Sequence, residues 1–296
     1  MDYFEIEGKN QLFGNIDISG AKNAVLPLMA ASILNNNELT ISNVPNLSDS
    51  VTMSNLLKGM GSEVNLSSDK IYINSQSLNN PYAPYDLVRT MRASFYVLGP
   101  LLAKFGEAKV SLPGGCAWGP RPVDFHIEGM KQLGATIDLE DGYIIAKSNK
   151  LQGNKIVFPK ISVGATGNVL MASVLADGDT EIHNAAAEPE IQQLCHFLNN
   201  MGAKISGIGT NILQIEGVSS LENVENVNVI PDRIEAGTFL MGVAATGGEV
   251  KLNKVNPAHL ETVISYLKHT NVTIKVEDDS IAILSNGNIN SYDIET

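Results

Sequence analysis

The chain has 296 residues, 44% of them hydrophobic and 18% charged, which is enough apolar material for one large or two smaller globular domains and argues against disorder. Its net charge of −12 argues against a general nucleic-acid-binding protein, which needs a basic face for phosphate contacts. Two cysteines make neither a disulfide framework nor a CxxC metal pair, and neither a signal core nor a membrane-length apolar run occurs. We therefore expect a soluble cytoplasmic protein without a metal.

An internal repeat runs along the chain. Each copy has an apolar helix-like run, a polar turn and a short alternating strand, and the copies cover 29–44, 97–113, 171–185 and 240–255. A second helix-like segment follows each copy and ends at a residue that suits a left-handed helix C-cap. These four marks recur at intervals of 68 to 73 residues and are Gly61, Gly134, Gly202 and Asn271.

Strand-like segments surround each copy. Two alternating strands follow each mark, and in the second copy they meet at Asp141-Gly142, a pair typical of hairpin turns. A leading strand precedes the first, third and fourth copies, at 15–19, 155–158 and 227–230, whereas 81–85 is weaker because of its two prolines. The pattern predicts an α/β protein of about four βαβαββ units, in which three units packed around buried helices form one domain.

The first predicted helix begins in the segment Gly-Ala-Lys-Asn at 20–23. A lysine at a helix N-terminus can join backbone N–H groups in holding an anion, which makes Lys22 a candidate ligand-binding residue. The alternative is that Asn23 or Ser19 is only a helix cap, and the local sequence by itself favours that alternative.

The arginines are few and clustered. The chain has only Arg89, Arg92, Arg121 and Arg233, and arginine is suited to bidentate contact with phosphate. The spacing of Arg89 and Arg92 predicts that they share one face of a helix, with Tyr96 one turn beyond. That arrangement would offer a platform for a phosphate and a ring, and a solvated helix face with Tyr96 in the core is the equally open alternative.

The segment 111–122, SLPGGCAWGPRP, is rich in glycine and proline and contains Cys116. It corresponds to the junctions 42–50, 183–190 and 253–261 of the other repeats, which lack its glycines. Long glycine-rich loops often carry functional groups, and Arg121 would favour the Cys116 thiolate. No family signature supports a papain-like pairing with His126, which is more often structural than a metal ligand in such a place.

Six short segments carry a resemblance that covers the whole chain. They are GAKN at 20–23, TMRAS at 90–94, LPGGCAWGPRPVD at 112–124, KISVGAT at 160–166, AAAEPEI at 185–191 and PDRIEAGTF at 231–239. Together they resemble the enolpyruvyl transferases that act on UDP-N-acetylglucosamine. The resemblance implies the inside-out α/β barrel fold of that family, with six βαβαββ units in two domains. One implied domain is continuous and complete, at 21–229, and the other combines 1–20 with an incomplete remainder at 230–296.

The resemblance also implies a reaction. The enolpyruvyl group of phosphoenolpyruvate would pass to the 3′-hydroxyl of UDP-N-acetylglucosamine with release of phosphate, the first committed step of peptidoglycan synthesis, without a cofactor. Cys116 would be the proton donor, Lys22 and Arg121 would stabilise developing charge, and Lys22 with Asn23 would bind phosphoenolpyruvate. The residues implied to bind the UDP-sugar are Arg92, Tyr96, Arg121, Pro122, Val123, Asp124, Phe125, Lys160, Ile161, Ser162, Val163 and Gly164.

Some features depart from the family pattern. Tyr96 replaces a frequent tryptophan, and Trp118 replaces a more usual aliphatic residue. The chain ends before the family's Thr-Asp stretch and before later arginines that clamp phosphoenolpyruvate, so the resemblance implies weak turnover by this polypeptide and weak alkylation of Cys116 by fosfomycin. The alternatives are a non-catalytic UDP-sugar-binding module and the shikimate-pathway enolpyruvyl transferase, against which the segments PGGC and RPVD argue.

Overall fold

The computed structural model describes residues 3–8, 10–89, 91–113 and 123–293. Cys116, Trp118, Arg121 and Pro122 therefore lie outside the described residues. The chain divides into two compact units. The continuous unit is Lys22–Val229, and the discontinuous unit joins Met1–Ala21 to Ile230–Thr296.

The described ranges contain nine α-helices, three 3-10 helices and sixteen strands. The helices are α1 (Lys22–Ala31), α2 (Ser48–Gly59), α3 (Tyr85–Val88), α4 (Leu98–Phe105), α5 (Asp124–Gln132), α6 (Val163–Ser173), α7 (Pro189–Asn200), α8 (Arg233–Thr246) and α9 (Glu261–Lys268), with 3-10 helices at Ser32–Leu34, Arg92–Val97 and Pro257–Leu260. The strands are β1 (Leu12–Asp17), β2 (Glu38–Ser42), β3 (Glu63–Leu66), β4 (Lys70–Asn74), β5 (Tyr82–Ala83), β6 (Glu107–Ser111), β7 (Thr136–Glu140), β8 (Tyr143–Lys147), β9 (Lys155–Val157), β10 (Asp179–His183), β11 (Lys204–Ser206), β12 (Ile212–Glu216), β13 (Asn226–Asn228), β14 (Gly248–Asn253), β15 (Thr273–Val276) and β16 (Ser280–Ser285). None of these helices has the length and apolarity that crossing a membrane requires.

The strands form four sheets that share one plan. A leading strand pairs in parallel with the second strand, the second pairs antiparallel with the fourth, and the fourth pairs antiparallel with the third. The orders are β13-β2-β4-β3, β5-β6-β8-β7, β9-β10-β12-β11 and β1-β14-β16-β15. Three of these sheets belong to the continuous unit and one to the discontinuous unit. The predicted βαβαββ repeat is therefore confirmed.

The leading strands of the first and fourth sheets correct the sequence-based assignment. The segment at 15–19 precedes the first copy, yet β1 pairs with β14 of the fourth, with Leu12 opposite Gly248. The segment at 227–230 precedes the fourth copy, yet β13 pairs with β2 of the first, with Val227 opposite Ile41. Parallel partners are joined by a crossover rather than a tight turn, so adjacency in sequence does not determine which sheet a leading strand joins.

The second helix of each repeat ends at the predicted mark. Gly61, Gly134 and Gly202 have φ angles of +105°, +87° and +87°, and Asn271 has +68°. After α2, α5 and α7, the residue that follows the left-handed glycine donates its N–H to the carbonyl five residues earlier. This hydrogen bond and the left-handed glycine together form the Schellman motif. These bonds are Ser62 to Leu57, Ala135 to Met130 and Ala203 to Leu198, each 3.0 Å long.

The core helices of the continuous unit are buried on all sides. Every residue from Ala24 to Ala31 of α1 and from Ala165 to Ser173 of α6 is buried. Helix α1 packs on α7, and α6 packs on both α4 and α5. A helix without a polar face is stable only when other elements surround it, and the three repeats of this unit provide that surrounding.

Helix α8 of the discontinuous unit is packed on one side. It contacts β14, β16 and α9, and its residues Leu240 and Val243 join Ile281 and Ile283 in the core of this unit. Met241, on the same helix, is 54% exposed. The discontinuous unit therefore has one sheet, one small core and an apolar helix with an exposed side.

Candidate active site

One cavity of the continuous unit collects predicted site residues from distant segments. It has a volume of about 410 Å³, and its described lining lies wholly within Lys22–Val229. Asp49, Phe95 and His126 also line it, although the sequence analysis did not assign them to the site. The predicted residues among its lining are Lys22, Asn23, Arg92, Tyr96, Val123, Val163 and Gly164.

The volume of this cavity is not the reason to regard it as the candidate site. Concave regions of about 570 and 500 Å³ lie elsewhere in the same unit, one on the sheet of β10 to β12 and one beside α4 and β8. Neither is lined by a predicted site residue. Converging charged and polar groups indicate a ligand site better than volume does, so we assign the candidate active site to the 410 Å³ cavity.

Lys22 is the first residue of α1, as the sequence predicts for an anion-binding lysine. Its Nζ lies 3.4 Å from Oδ2 of Asp49, near the start of α2. Both side chains are partly exposed, so this ion pair contributes little to stability and mainly orients the ammonium group. Asp49 lies in the junction 42–50, which corresponds to the glycine-rich segment 111–122 of the second repeat. Because equivalent junctions lie at equivalent ends of their sheets, the repeat could have indicated that Asp49 is a candidate site residue.

Of Arg89 and Arg92, Arg92 lines the cavity and Arg89 does not. Helix α3 ends at Val88, Met91 is extended with φ −145° and ψ 113°, and Arg92 then begins a 3-10 helix. Arg89 instead pairs with Asp86 at 3.6 Å and its guanidinium lies over the Tyr85 ring. The predicted shared helix face of Arg89 and Arg92 is therefore wrong, because the extended residue between them turns the chain.

Tyr96 lies against α6. Its hydroxyl donates to the carbonyl oxygen of Val163 at 3.5 Å, and a side chain at Gly167 would come within 2.9 Å of its ring. Burial raises the pKa of Tyr96 most, and the charges of Glu188 and Glu190 raise it further. The phenol therefore stays protonated and neutral. Both glutamates belong to the stretch around 183–190, so a second junction also approaches the site.

Phe125 and Lys160 form a small group beside the cavity. The Phe125 ring stacks on Phe158 with centroids 6.2 Å apart, and the Lys160 Nζ lies 6.0 Å from the Phe125 centroid. Asp124 is the exposed first residue of α5, and Ile161 is also exposed. These four predicted residues lie outside the described lining of the cavity and within three positions of lining residues in the chain.

The N-terminus of α6 faces the cavity. Ser162 caps this helix, since its Oγ accepts the N–H of Ala165 at 3.3 Å. Val163 and Gly164 are the first two residues of the helix and line the cavity. Backbone N–H groups and the helix dipole at such a terminus favour a phosphate or carboxylate.

His126 lies on α5 at the cavity wall and is 5% exposed. Its Nδ1 is 3.0 Å from Nδ2 of Asn168, and its ring meets the Phe95 ring edge-on at 5.0 Å. Burial first, and then the charge of Arg92, lowers the pKa of His126 to about 3. The imidazole is therefore neutral at neutral pH.

The cavity is locally positive although the chain carries a net charge of −12. Its described lining includes the cations Lys22 and Arg92 and the single carboxylate Asp49. A local excess of cations attracts a small anion whatever the net charge of the protein. Within the described ranges, no group of three or more His, Cys, Asp or Glu side chains could hold a metal ion. The arrangement is suited to binding a phosphorylated ligand.

The fold is that of enolpyruvyl transferases. The structure of the enolpyruvyl transferase NikO from Streptomyces tendae matches with a TM-score of 0.84 at 20% identity, over 95% of this chain and 67% of that one. EPSP synthase from Acinetobacter baumannii matches with a TM-score of 0.72 at 18% identity, over 95% of this chain and 66% of that one. The predicted fold class is confirmed.

The sequence defines the family. A profile of the EPSP synthase (3-phosphoshikimate 1-carboxyvinyltransferase) family matches residues 6–296, and the chain belongs to that family. It is 48% identical over its whole length to the UDP-N-acetylglucosamine 1-carboxyvinyltransferase of Koribacter versatilis, of which it spans 69%. It is 49% identical to the protein of the same name from Aliarcobacter butzleri, of which it spans 71%.

Proposed function

We propose that the chain serves the transfer of the enolpyruvyl group from phosphoenolpyruvate to the 3′-hydroxyl of UDP-N-acetylglucosamine, as in the relatives of that name. The observation that carries the proposal is the convergence of Lys22, Arg92 and the N-terminus of α6 on one cavity. These groups suit two phosphorylated substrates, and 48% identity over the whole chain connects them to relatives that bear the name of this reaction.

The transfer needs an acid, a base and charge stabilisation. Protonation of C3 of phosphoenolpyruvate makes C2 electrophilic, and the sugar 3′-oxygen bonds to C2 as its hydroxyl proton leaves to a base. Loss of a proton from C3 and cleavage of the bond between C2 and the phosphate oxygen then restore the double bond and release phosphate. Cys116 is proposed as the acid, because a thiol pKa can be brought close to neutrality.

The cavity supplies the charge stabilisation. Lys22, oriented by Asp49, is proposed to bind phosphoenolpyruvate together with Asn23 and Arg121. Arg92, Tyr96 and the first turn of α6 are proposed to bind the UDP-sugar with Val123, while Asp124, Phe125, Lys160 and Ile161 border it. Arg121 and Pro122 complete the proposed set and lie outside the described residues.

A second candidate is a module that binds the UDP-sugar without turning it over. The observation that favours it is that every described residue of the cavity lining belongs to Lys22–Val229. Binding therefore requires groups of the continuous unit, whereas turnover requires in addition an acid and a base in their reactive positions.

Calorimetric titration and phosphate release test the proposal on the same preparation. We expect the 296-residue chain to bind UDP-N-acetylglucosamine and not shikimate 3-phosphate. Phosphate release from phosphoenolpyruvate in its presence supports the transferase, and binding without release supports the module. Binding of shikimate 3-phosphate in preference to UDP-N-acetylglucosamine, or of neither, would contradict both candidates.

The neighbouring arginines provide a matched control. Arg92→Ala removes a cation from the cavity, and we expect at least tenfold weaker binding of UDP-N-acetylglucosamine because one charged hydrogen bond is worth about 1.5–3 kcal/mol. Arg89→Ala removes an exposed arginine three residues away and should leave the affinity within about twofold. Equal losses in the two variants would remove Arg92 from the site.

A further inference from the structure

Asn168 connects three helical elements at the wall of the site. It lies on α6 and is fully buried. Its Oδ1 accepts the backbone N–H of Gly99 on α4, and its Nδ2 donates to the carbonyl oxygen of Phe95 at 2.8 Å. A side chain at Gly99 would collide with the Asn168 backbone, so the close approach of α4 and α6 requires this glycine. Two backbone partners of opposite kind therefore fix the orientation of the Asn168 amide.

The fixed amide determines the tautomer of His126. Because Nδ2 of Asn168 is the donor, the His126 Nδ1 that lies 3.0 Å from it has to accept. An imidazole that accepts at Nδ1 and is neutral carries its proton on Nε2. The tautomer of His126 is therefore set by two backbone groups. The N–H of Gly99 can only donate and the carbonyl of Phe95 can only accept, so the Asn168 amide cannot be reversed.

The protonated edge of His126 is turned to the first turn of α6. A side chain placed on Gly164 would come within 3.1 Å of both Cε1 and Nε2 of His126, so the Nε2–H lies beside the helix N-terminus. His126 and Gly164 both line the cavity, and none of the residues that the structure describes is seen to accept a hydrogen bond from Nε2. A donor on a residue that is 95% buried, next to two N-terminal residues of a helix, is suited to an anionic oxygen.

We propose that the Nε2–H of His126 donates a hydrogen bond to a phosphoryl oxygen of the nucleotide substrate held at the N-terminus of α6, and that Asn168 is a positioning residue that keeps this tautomer. The inference rests on the proposed function for the identity of the nucleotide. It assigns to His126 a binding role where its burial and its contact with Phe95 alone would indicate only packing. A neutral donor leaves the charge of the bound phosphate to Arg92 and the helix dipole.

Nitrogen NMR of the full chain, labelled at histidine, tests the tautomer and the contact separately. In the free protein, the His126 resonances should show Nε2 protonated and Nδ1 unprotonated from pH 5 to pH 9. Saturation with UDP should shift the Nε2 proton downfield and leave Nδ1 unchanged. Protonation at Nδ1, or a UDP complex in which Nε2 does not move, would overturn the proposal.

Variants separate hydrogen bonding from packing. His126→Leu fills the site without a donor and should weaken UDP binding at least tenfold, whereas His126→Gln places an amide N–H near the Nε2 position and should bind within about threefold of the wild type. Circular dichroism confirms folding of each variant. Equal affinity for UDP in all three proteins would show that His126 only packs.

The same titrations distinguish the two levels of inference. If UDP shifts Nε2 but UDP-N-acetylglucosamine binds no more tightly than UDP-glucose, the proposed substrate fails and the role of His126 stands. If UDP-N-acetylglucosamine binds with its selectivity intact and Nε2 does not respond, the role of His126 fails and the proposed function stands. If neither UDP nor inorganic pyrophosphate binds, both are overturned.

Discussion

The continuous and discontinuous units contain the same repeat in different packing environments. Three repeats of the continuous unit surround their core helices, so Met29 of α1 and Met171 of α6 are fully buried. The discontinuous unit has one repeat, and Met241, in the corresponding apolar run of α8, is 54% exposed. The comparison shows that a largely apolar helix is a property of the repeat, while its burial depends on how many repeats pack together.

The largest expected effect comes from two methionines in corresponding helices. Met29→Ala leaves a cavity among surrounding helices and should lower the free energy of unfolding by about 2–5 kcal/mol, whereas Met241→Ala should change it by about 0.5 kcal/mol or less. Urea unfolding measured by tryptophan fluorescence and circular dichroism checks this. Equal destabilisation by the two substitutions would show that α8 is as enclosed as α1.

The pH dependence of the two units should also differ. His126 has a pKa of about 3 in the folded continuous unit and an ordinary value of 6.5 when unfolded, so between these values only the unfolded chain binds the proton. The free energy of unfolding therefore falls as the pH decreases below 6.5, by up to about 2 kcal/mol at pH 5. Urea unfolding at pH 7 and pH 5 should show this loss, and His126→Gln should reduce it.

Glu277 of the discontinuous unit gives the contrasting case. Hydrogen bonds from Lys275, Lys251 and Ser280 lower the pKa of its carboxyl group to about 2. Its contribution to stability is complete above pH 4.5 and is lost as the pH falls toward 2. Glu277→Gln removes this contribution, so the variant should be less stable than the wild type above pH 4.5 and should match it near pH 2. Between pH 7 and pH 5 the variant should lose as much stability as the wild type does, and a smaller loss would contradict the assignment of that loss to His126.

The smallest effect on stability is expected at the exposed side of α8. Ile234 and Met241 are 50% and 54% exposed, and replacing both by serine should leave the free energy of unfolding nearly unchanged. Self-association at high concentration should decrease, because exposed apolar side chains promote contact between molecules. Sedimentation velocity checks this, with Leu139→Ser, at an isolated exposed position of β7, as the control. An equal decrease for the control would show that α8 is not special.

The repeat and its marks could be predicted because they are local. Gly61, Gly134 and Gly202 each take the left-handed conformation that their chemistry favours. The turn at Asp141-Gly142 has φ angles of +50° and +80°, as its sequence predicts for a two-residue hairpin. Such features depend on a few neighbouring residues, so a single sequence contains enough information to find them.

The errors concern one local break in a helix and contacts between residues that are distant in the sequence. The extended Met91 separates Arg89 from Arg92, and helical spacing gave no sign of it. Asp49 and Lys22 pair between two helices of the first repeat, and Asn168 and His126 pair between two different repeats, so both contacts appear only when the chain is folded. The sequence therefore predicted several of the segments that line the cavity, and it missed the side chains through which one helix orients the groups of another.

The leading strands constrain the order in which the chain can fold during synthesis. Strand β2 is complete by residue 42, but its parallel partner β13 begins only at residue 226, so one edge of β2 stays open while the intervening chain is made. The same holds for β1, whose partner β14 follows more than 200 residues later. An open strand edge can pair with a neighbouring chain, and contacts so distant in sequence form slowly. A ribosome-bound nascent chain that stops before residue 226 therefore presents an unfinished sheet to the chaperones that meet it.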